Sequence, residues 1–282
     1  VDPVLARVSV FWTQLTRIPV TLAYAMALTT VTVVLLALGP QVQDRVVSAA
    51  STNLHNLRHG HFGTLVGSAF VTDAGPIYGW MPGLVCLLAL AELFWRSRRL
   101  IAMFAFGHIG ATLLVAIGLT VAVKAGWTPG SVSHDIDVGM SYGAAAVLGA
   151  LTAAIPRRWR PLWIGWWLAV ALSVVAVSRY FTDVGHVTAL GLGMLVATRL
   201  GRPGGWTTPR RLMLAFAGLF GLMLLAGTGG MVLITVTAGL LGAGAGYGFT
   251  QLASRGSAGV NSTAAMAPRS DAAGPPAGLR RR

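Results

Sequence analysis

The residues best suited to covalent chemistry in this chain are a serine and a histidine: Ser141, in Gly139-Met140-Ser141-Tyr142-Gly143, and His186, in Asp183-Val184-Gly185-His186. A serine hydroxyl becomes a useful nucleophile when a neighbouring base takes its proton, and imidazole titrates in the right range for that task. A serine in the first turn of a helix also lies beside unsatisfied backbone N–H groups, which can stabilise a developing oxyanion. Both residues fall a few positions inside long apolar segments, where polar groups are candidates for function by default.

The segments that must position them are membrane spans. The chain is 55% hydrophobic and 10% charged, with a mean hydropathy of +0.69, which excludes an ordinary globular domain of this length. A span needs about 20 mainly apolar residues. Eight segments qualify: 18–39, 77–95, 100–123, 138–155, 161–178, 184–200, 212–228 and 231–251. The first is too long and too weakly flanked for a cleavable signal and reads as an uncleaved span. The formal charge of +13 resides in short arginine clusters between these runs, so it marks topology rather than a nucleic-acid partner.

With the N-terminus in the cytoplasm, Arg7, Arg17, Arg96, Arg98, Arg99, Arg157, Arg158, Arg160, Arg199, Arg202, Arg210, Arg211 and the five tail arginines lie on one side. That places 17 basic residues inside, with Arg45, Arg58, Lys124 and Arg179 outside, the asymmetry expected of cytoplasmic loops. The expected organisation is a cytoplasmic N-terminus (1–17), a six-span core (18–200) with a long outer loop (40–76), and a basic cytoplasmic loop (201–211). A helical hairpin (212–251) and a disordered cytoplasmic tail (252–282) follow. The apolar piece 62–71 of the outer loop is too short to cross and is expected to lie in the outer leaflet or dip into the protein, under cover for its backbone groups.

In this topology the fourth and sixth spans run in the same direction, so Ser141 and His186 lie at nearly equal depth. Gly185, Ala189, Gly193 and Ala197 form a small-residue stripe on the sixth span, and the fourth offers Gly139, Gly143, Ala146 and Ala150. Small residues at this spacing let backbones approach closely in lipid. The two spans are therefore expected to touch.

Structural roles compete with catalysis. A helical serine can simply bond a carbonyl, and His186 can serve packing. Asp183 is expected to cap the sixth span rather than orient His186. Glu92 is expected to face water or Arg96, His108 to hydrogen-bond between helices, and Cys86 to be a small buried hydrophobe. Gly139 to Gly143 also spells the Gly-x-Ser-x-Gly elbow of soluble hydrolases, but no alternation of strands and helices surrounds it. His59-Gly60-His61 and His134-Asp135-Ile136-Asp137 hold ligand-type side chains on the outer face without a His-Glu-x-x-His pair or a cysteine cluster, so no metal is expected.

The order and spacing of these features resemble the rhomboid superfamily of intramembrane serine proteases. Gly139-Met140-Ser141 resembles the nucleophile motif at the outer start of the fourth core span. His186, with Ala189 and Gly193, resembles the sixth-span histidine motif. Ala91-Glu92 followed by Arg96-Ser97-Arg98-Arg99-Leu100 is similar to the close of the second span. The divergent rhomboid-like group of actinobacteria is the nearest in character, in keeping with the dominance of arginine over lysine. The resemblance implies an all-α polytopic membrane protein, with a six-helix core plus two C-terminal helices. The family's oxyanion donors, a His and an Asn early in the second span, have no counterpart at Pro76, Ile77, Trp80 or Met81. His59, His61 or Asn56 of the outer loop are the candidate replacements. The family's tyrosine one turn after the serine is replaced by Ala145, and Tyr142 is adjacent to the serine instead.

The implied function is an intramembrane serine endopeptidase in which a Ser141–His186 dyad cleaves transmembrane or juxtamembrane segments of client membrane proteins. A catalytically inactive rhomboid-like protein that binds such clients is the alternative. The partners implied are a client helix and the lipid bilayer, with no cofactor and no nucleic acid, and no oligomeric state follows. The location implied is a bacterial plasma membrane.

Overall fold

A computed structural model of the chain describes residues 15–72, 77–178, 180–227 and 231–265, the last 14 of them as backbone alone. The described residues form helices and connecting turns, with no strand. In chain order the helices are α1 (Pro19–Leu38), α2 (Pro40–Ala50), α3 (Leu54–Arg58), α4 (Thr64–Gly67), α5 (Ile77–Lys124), α6 (Ser141–Ala150), α7 (Arg160–Ser178), α8 (Phe181–Ala197), α9 (Thr208–Ala226) and α10 (Met231–Ala265). Five stretches are long and apolar enough to cross a bilayer: Pro19–Leu38, Ile77–Lys124, Arg157–Ser178, Thr208–Ala226 and Met231–Gln251.

The second and third expected spans are both contained in α5. Its 48 residues would be about 72 Å long if straight, twice the hydrocarbon thickness. The break is a single residue, Arg96, at φ 68° and ψ 162°, a strained conformation for a side chain other than glycine. Flanking bonds hold it. Ser97 Oγ donates to Glu92 Oε1 at 2.6 Å, and Trp95 Nε1 donates to the Gly201 carbonyl at 3.0 Å.

Glu92 corrects an expectation. It faces neither water nor Arg96: it is 2% exposed and accepts the Val20 and Thr21 backbone N–H groups at 3.0 and 2.8 Å, together with the Thr21 hydroxyl at 2.7 Å. A carboxyl from α5 thus satisfies the free N-terminal donors of α1, whose own boundary residue, Ile18, supplies no side-chain cap.

The fourth and sixth spans are short. The α-helical part of the fourth covers Ser141–Ala150 and continues through a 3-10 turn at Leu151–Ala153, while α8 starts at Phe181, ahead of the expected boundary at 184. Every α6 residue from Tyr142 to Ala150 is buried, so neighbouring helices rather than lipid surround it. It packs on α5 and α8, and α7 packs most extensively on α10.

Of the two placements expected for the 62–71 piece, its second half takes the inward one and dips into the protein, while Phe62 and Val66 are exposed. Ser68 and Ala69 are buried, and their backbone carbonyls are covered: Gly139 N–H donates to Ser68 O at 2.9 Å, and the Tyr24 hydroxyl donates to Ala69 O at 2.6 Å. His108 is buried as expected, but its partner is Ser68 Oγ, 3.1 Å from Nε2, rather than a group on another spanning helix. At the C-terminal end α10 continues as helix to Ala265, past the boundary expected at 251, and 266–282 lie outside the described residues.

Candidate active site

Ser141 is the first residue of α6, placed there by Gly139. The chain must turn from the outer segment into the helix, and it does so at a glycine with φ 114°, a region L side chains rarely adopt. The Gly139 N–H is held by Ser68 O, so the re-entrant piece fixes where α6 begins. His186 lies five residues after the start of α8, roughly 7.5 Å along its axis. Both residues line one open cavity of about 530 Å³, together with Thr72, Trp80, Asp137, Tyr142 and Thr182, with Phe220, Met223 and Leu224 of α9, and with Gly227 just after it.

The small-residue stripes do bring α6 and α8 together, in a register of their own. A Cβ on Gly193 would overlap the Ala146 carbonyl, and one on Gly149 would overlap the Leu190 carbonyl. Gly149 was missing from the expected set, and Ala189 is fully buried in the contact. Gly143, expected to face α8, instead faces the Phe104 ring of α5.

Tyr142 takes the place against the histidine that Ala145 leaves empty. Its ring packs edge-on to His186, with centroids 5.3 Å apart and planes at 78°. The lack of a side chain at Gly185 admits the tyrosine hydroxyl. Asp183 is not the residue preceding α8. It lies inside the first turn, accepts the Ser178 hydroxyl, and sits with Oδ1 3.7 Å from His186 Nδ1. That is ion-pair distance rather than a hydrogen bond, and neither ring nitrogen of His186 has a hydrogen-bond partner among the described residues.

The outer-loop donors do not reach this cavity. Asn56 spends its amide on Ser48 O and Ser51 O at 3.1 and 2.8 Å. His59 Nδ1 is 2.8 Å from His55 O, and His61 lines a separate pocket with Ala49 and Thr64. The reason is anchoring: Thr52 N–H and Oγ1 donate to Asp137 O at 2.9 and 3.0 Å, and the His55 ring stacks on both His59 and His134 at 4.2 and 4.4 Å. These bonds hold α3 beside the 3-10 turn at Gly130–His134 instead of over Ser141. The stacked rings hold the His55 imidazole below its ordinary pKa, through partial desolvation and then its histidine neighbours.

Two polar residues of the cavity were overlooked in the sequence. Trp80 is 7% exposed and its indole N–H has no partner among the described residues; a tryptophan offers a donor at a place where the family resemblance points to His and Asn. Burial pushes the Asp137 carboxyl up to about 6, with Tyr142, His186 and Thr52 pulling it partly back. Asp137 was visible only as one member of a ligand-type run.

An all-α bundle whose long helices are apolar enough to cross a bilayer is a polytopic membrane protein. A family model described as rhomboid-like protein matches residues 13–202. No curated protein and no solved structure matches the chain. The chain belongs to the rhomboid-like protein family, and α9 and α10 lie beyond the matched region.

Proposed function

We propose that the protein is an intramembrane serine endopeptidase acting on client membrane proteins. The observation that carries this reading is the shared cavity of Ser141 and His186, with the serine at the open N-terminus of a buried helix. Ser141 Oγ attacks the scissile carbonyl while His186 accepts its proton. The imidazolium returns that proton to the leaving amine, and water releases the acyl group by the same route in reverse. Backbone N–H groups of the first α6 turn, with the orphaned Trp80 indole N–H, supply donors for the oxyanion. Tyr142 and Asp183 are positioning residues for the His186 ring. Clients are helices whose packing is weak near the mouth, since an extended backbone must present its carbonyl. In this reading the mouth faces away from the cytoplasm of a bacterial plasma membrane, and both termini are cytoplasmic.

A second reading is a non-catalytic client-binding protein. It is favoured by one observation: neither His186 nitrogen is hydrogen-bonded among the described residues. Labelling of the detergent-solubilised protein with a fluorophosphonate separates the two. The protease reading expects labelling of the native chain that disappears in both Ser141→Ala and His186→Ala. A folded native chain that stays unlabelled, while an active rhomboid labels in parallel, selects the second reading.

A further inference from the structure

From the seating of α9 we infer that it occupies the groove through which a client helix reaches Ser141, and that its departure is the access step. This rests on the client reading of the Ser141 cavity. Three observations carry it. First, one wall of that cavity is α9 itself, through Phe220, Met223 and Leu224. Second, α9 lies between the first half of α5 and the α6–α7 pair. A Cβ on Gly83 would overlap Phe220, and one on Gly221 would meet Leu148 and Trp167 at 2.7 and 3.0 Å. Among the described residues α5 and α7 make no extensive contact of their own, so removing α9 opens a helix-wide gap leading to the serine.

Third, the attachment of the hairpin is uneven. α10 is embedded in α7, where Gly165 and Gly242 meet backbone to backbone and Gly246 lies against the Pro161 carbonyl. α9 touches α10 only lightly. Against the core it packs chiefly on α5, through the buried face of Ala217, Phe220, Gly221, Leu225 and Ala226, while Leu212, Phe216 and Leu219 are more than half exposed. Glycines bound it at both ends: Gly201, Gly204 and Gly205 before it, and Gly227 at φ 65° after it. Residues of this kind absorb hinge rotation at little cost. The two helices of the hairpin are thus held by different partners, α9 by α5 and α10 by α7, so that movement of α9 on its glycine hinges leaves the anchoring of α10 intact. The groove fits a single apolar helix with a small-residue face, because that is what it now holds.

The test uses the full chain in vesicles and a probe that fits the groove by construction. The probe is a peptide with the sequence of Thr208–Ala226, flanked by lysines and carrying a benzophenone at the position of Phe220. Illumination is expected to join it to the 77–95 segment. Phe220→Ala, which removes the α9 side chain that packs on Gly83, is expected to raise the yield several-fold. Leu219→Ala, on the exposed face of α9, is expected to leave it unchanged. An adduct that never maps to 77–95, or a yield that Phe220→Ala raises no more than Leu219→Ala does, overturns the inference. Fluorophosphonate labelling is scored separately. Peptide exchange without labelling fails only the protease chemistry, and labelling without exchange fails only the access step.

Discussion

Burial sets the charge of Asp137, and the sign of its effect follows. Its folded-state pKa of about 6 lies above the ordinary value of about 3.9, so the folded protein holds the proton to higher pH than the unfolded chain does. Stability is then expected to fall as pH rises from about 4 to about 6, and to stay lower above that. Asp137→Asn should remove this loss. At pH 7.5 the gain is about 1 kcal/mol after allowance for partial exposure, or roughly 2–4 °C in Tm. Thermal melts in detergent at pH 4.5 and 7.5 check it: the gap between the two should shrink in the variant, and a wider gap would reverse the assignment. Tyr142 makes a separate claim at the same scale. If its ring holds His186 in place, Tyr142→Phe retains fluorophosphonate labelling within about threefold while Tyr142→Ala lowers it by at least tenfold, a free-energy difference above about 1.4 kcal/mol. Equal losses in both would assign the role to the hydroxyl.

At the scale of elements, the bundle depends on close backbone approach and on one carboxyl that reaches across helices. Gly193 sits against the Ala146 carbonyl, a rigid neighbour that cannot move aside as a side-chain tip can. Gly193→Val is expected to separate α6 from α8 at a cost of about 3 kcal/mol, seen as loss of a monodisperse peak in size exclusion. Gly191, with open space around it, should tolerate the same change. Glu92→Ala strands the Val20 and Thr21 N–H groups inside the protein. The expected cost is about 3 kcal/mol, or roughly 6–12 °C in Tm, and Glu92→Gln, which keeps one acceptor oxygen, should lose less. A melt of Glu92→Ala that matches the native protein would show the α1 N-terminus to be solvated. Arg96, one residue at positive φ, does the work of the loop expected between the second and third spans.

Across the whole molecule, the two ends of the bundle differ in chemistry. The mouth at Ser141 gathers Asp137, Asp183, Trp80 and His186. At the opposite end Arg157, Arg158 and Arg202 line a common cleft, Arg210 stacks on Phe94 at 5.1 Å, and Trp206 Nε1 donates to Ala154 O at 3.1 Å. Arg157, Arg158, Arg202 and Arg210, four of the arginines expected inside, thus lie together at the end away from Ser141, and that positive end is expected in the cytoplasm. Single cysteines at Gly130 and Gly204, both with open space around them in the Cys86→Ala background, check this. In intact cells an impermeant maleimide should label Gly130→Cys and spare Gly204→Cys, and the reverse pattern would invert the topology.

The sequence by itself determined the solvent, the helical class, the family and the pair of residues worth testing. Each of these depends on local composition or on a short motif: apolar run length, arginine clusters, Gly-Met-Ser and the small-residue stripe around His186. Only the tertiary structure decided which polar groups share the cavity. Trp80 and Asp137 entered it while His59, His61 and Asn56 were held away, because hydrogen bonds between segments more than 80 residues apart anchor α3. It also decided that Tyr142 rather than position 145 meets His186, that Glu92 caps α1, and that α9 walls the site. Such contacts depend on helix rotation and on backbone proximity, which hydropathy and spacing along a single chain do not encode.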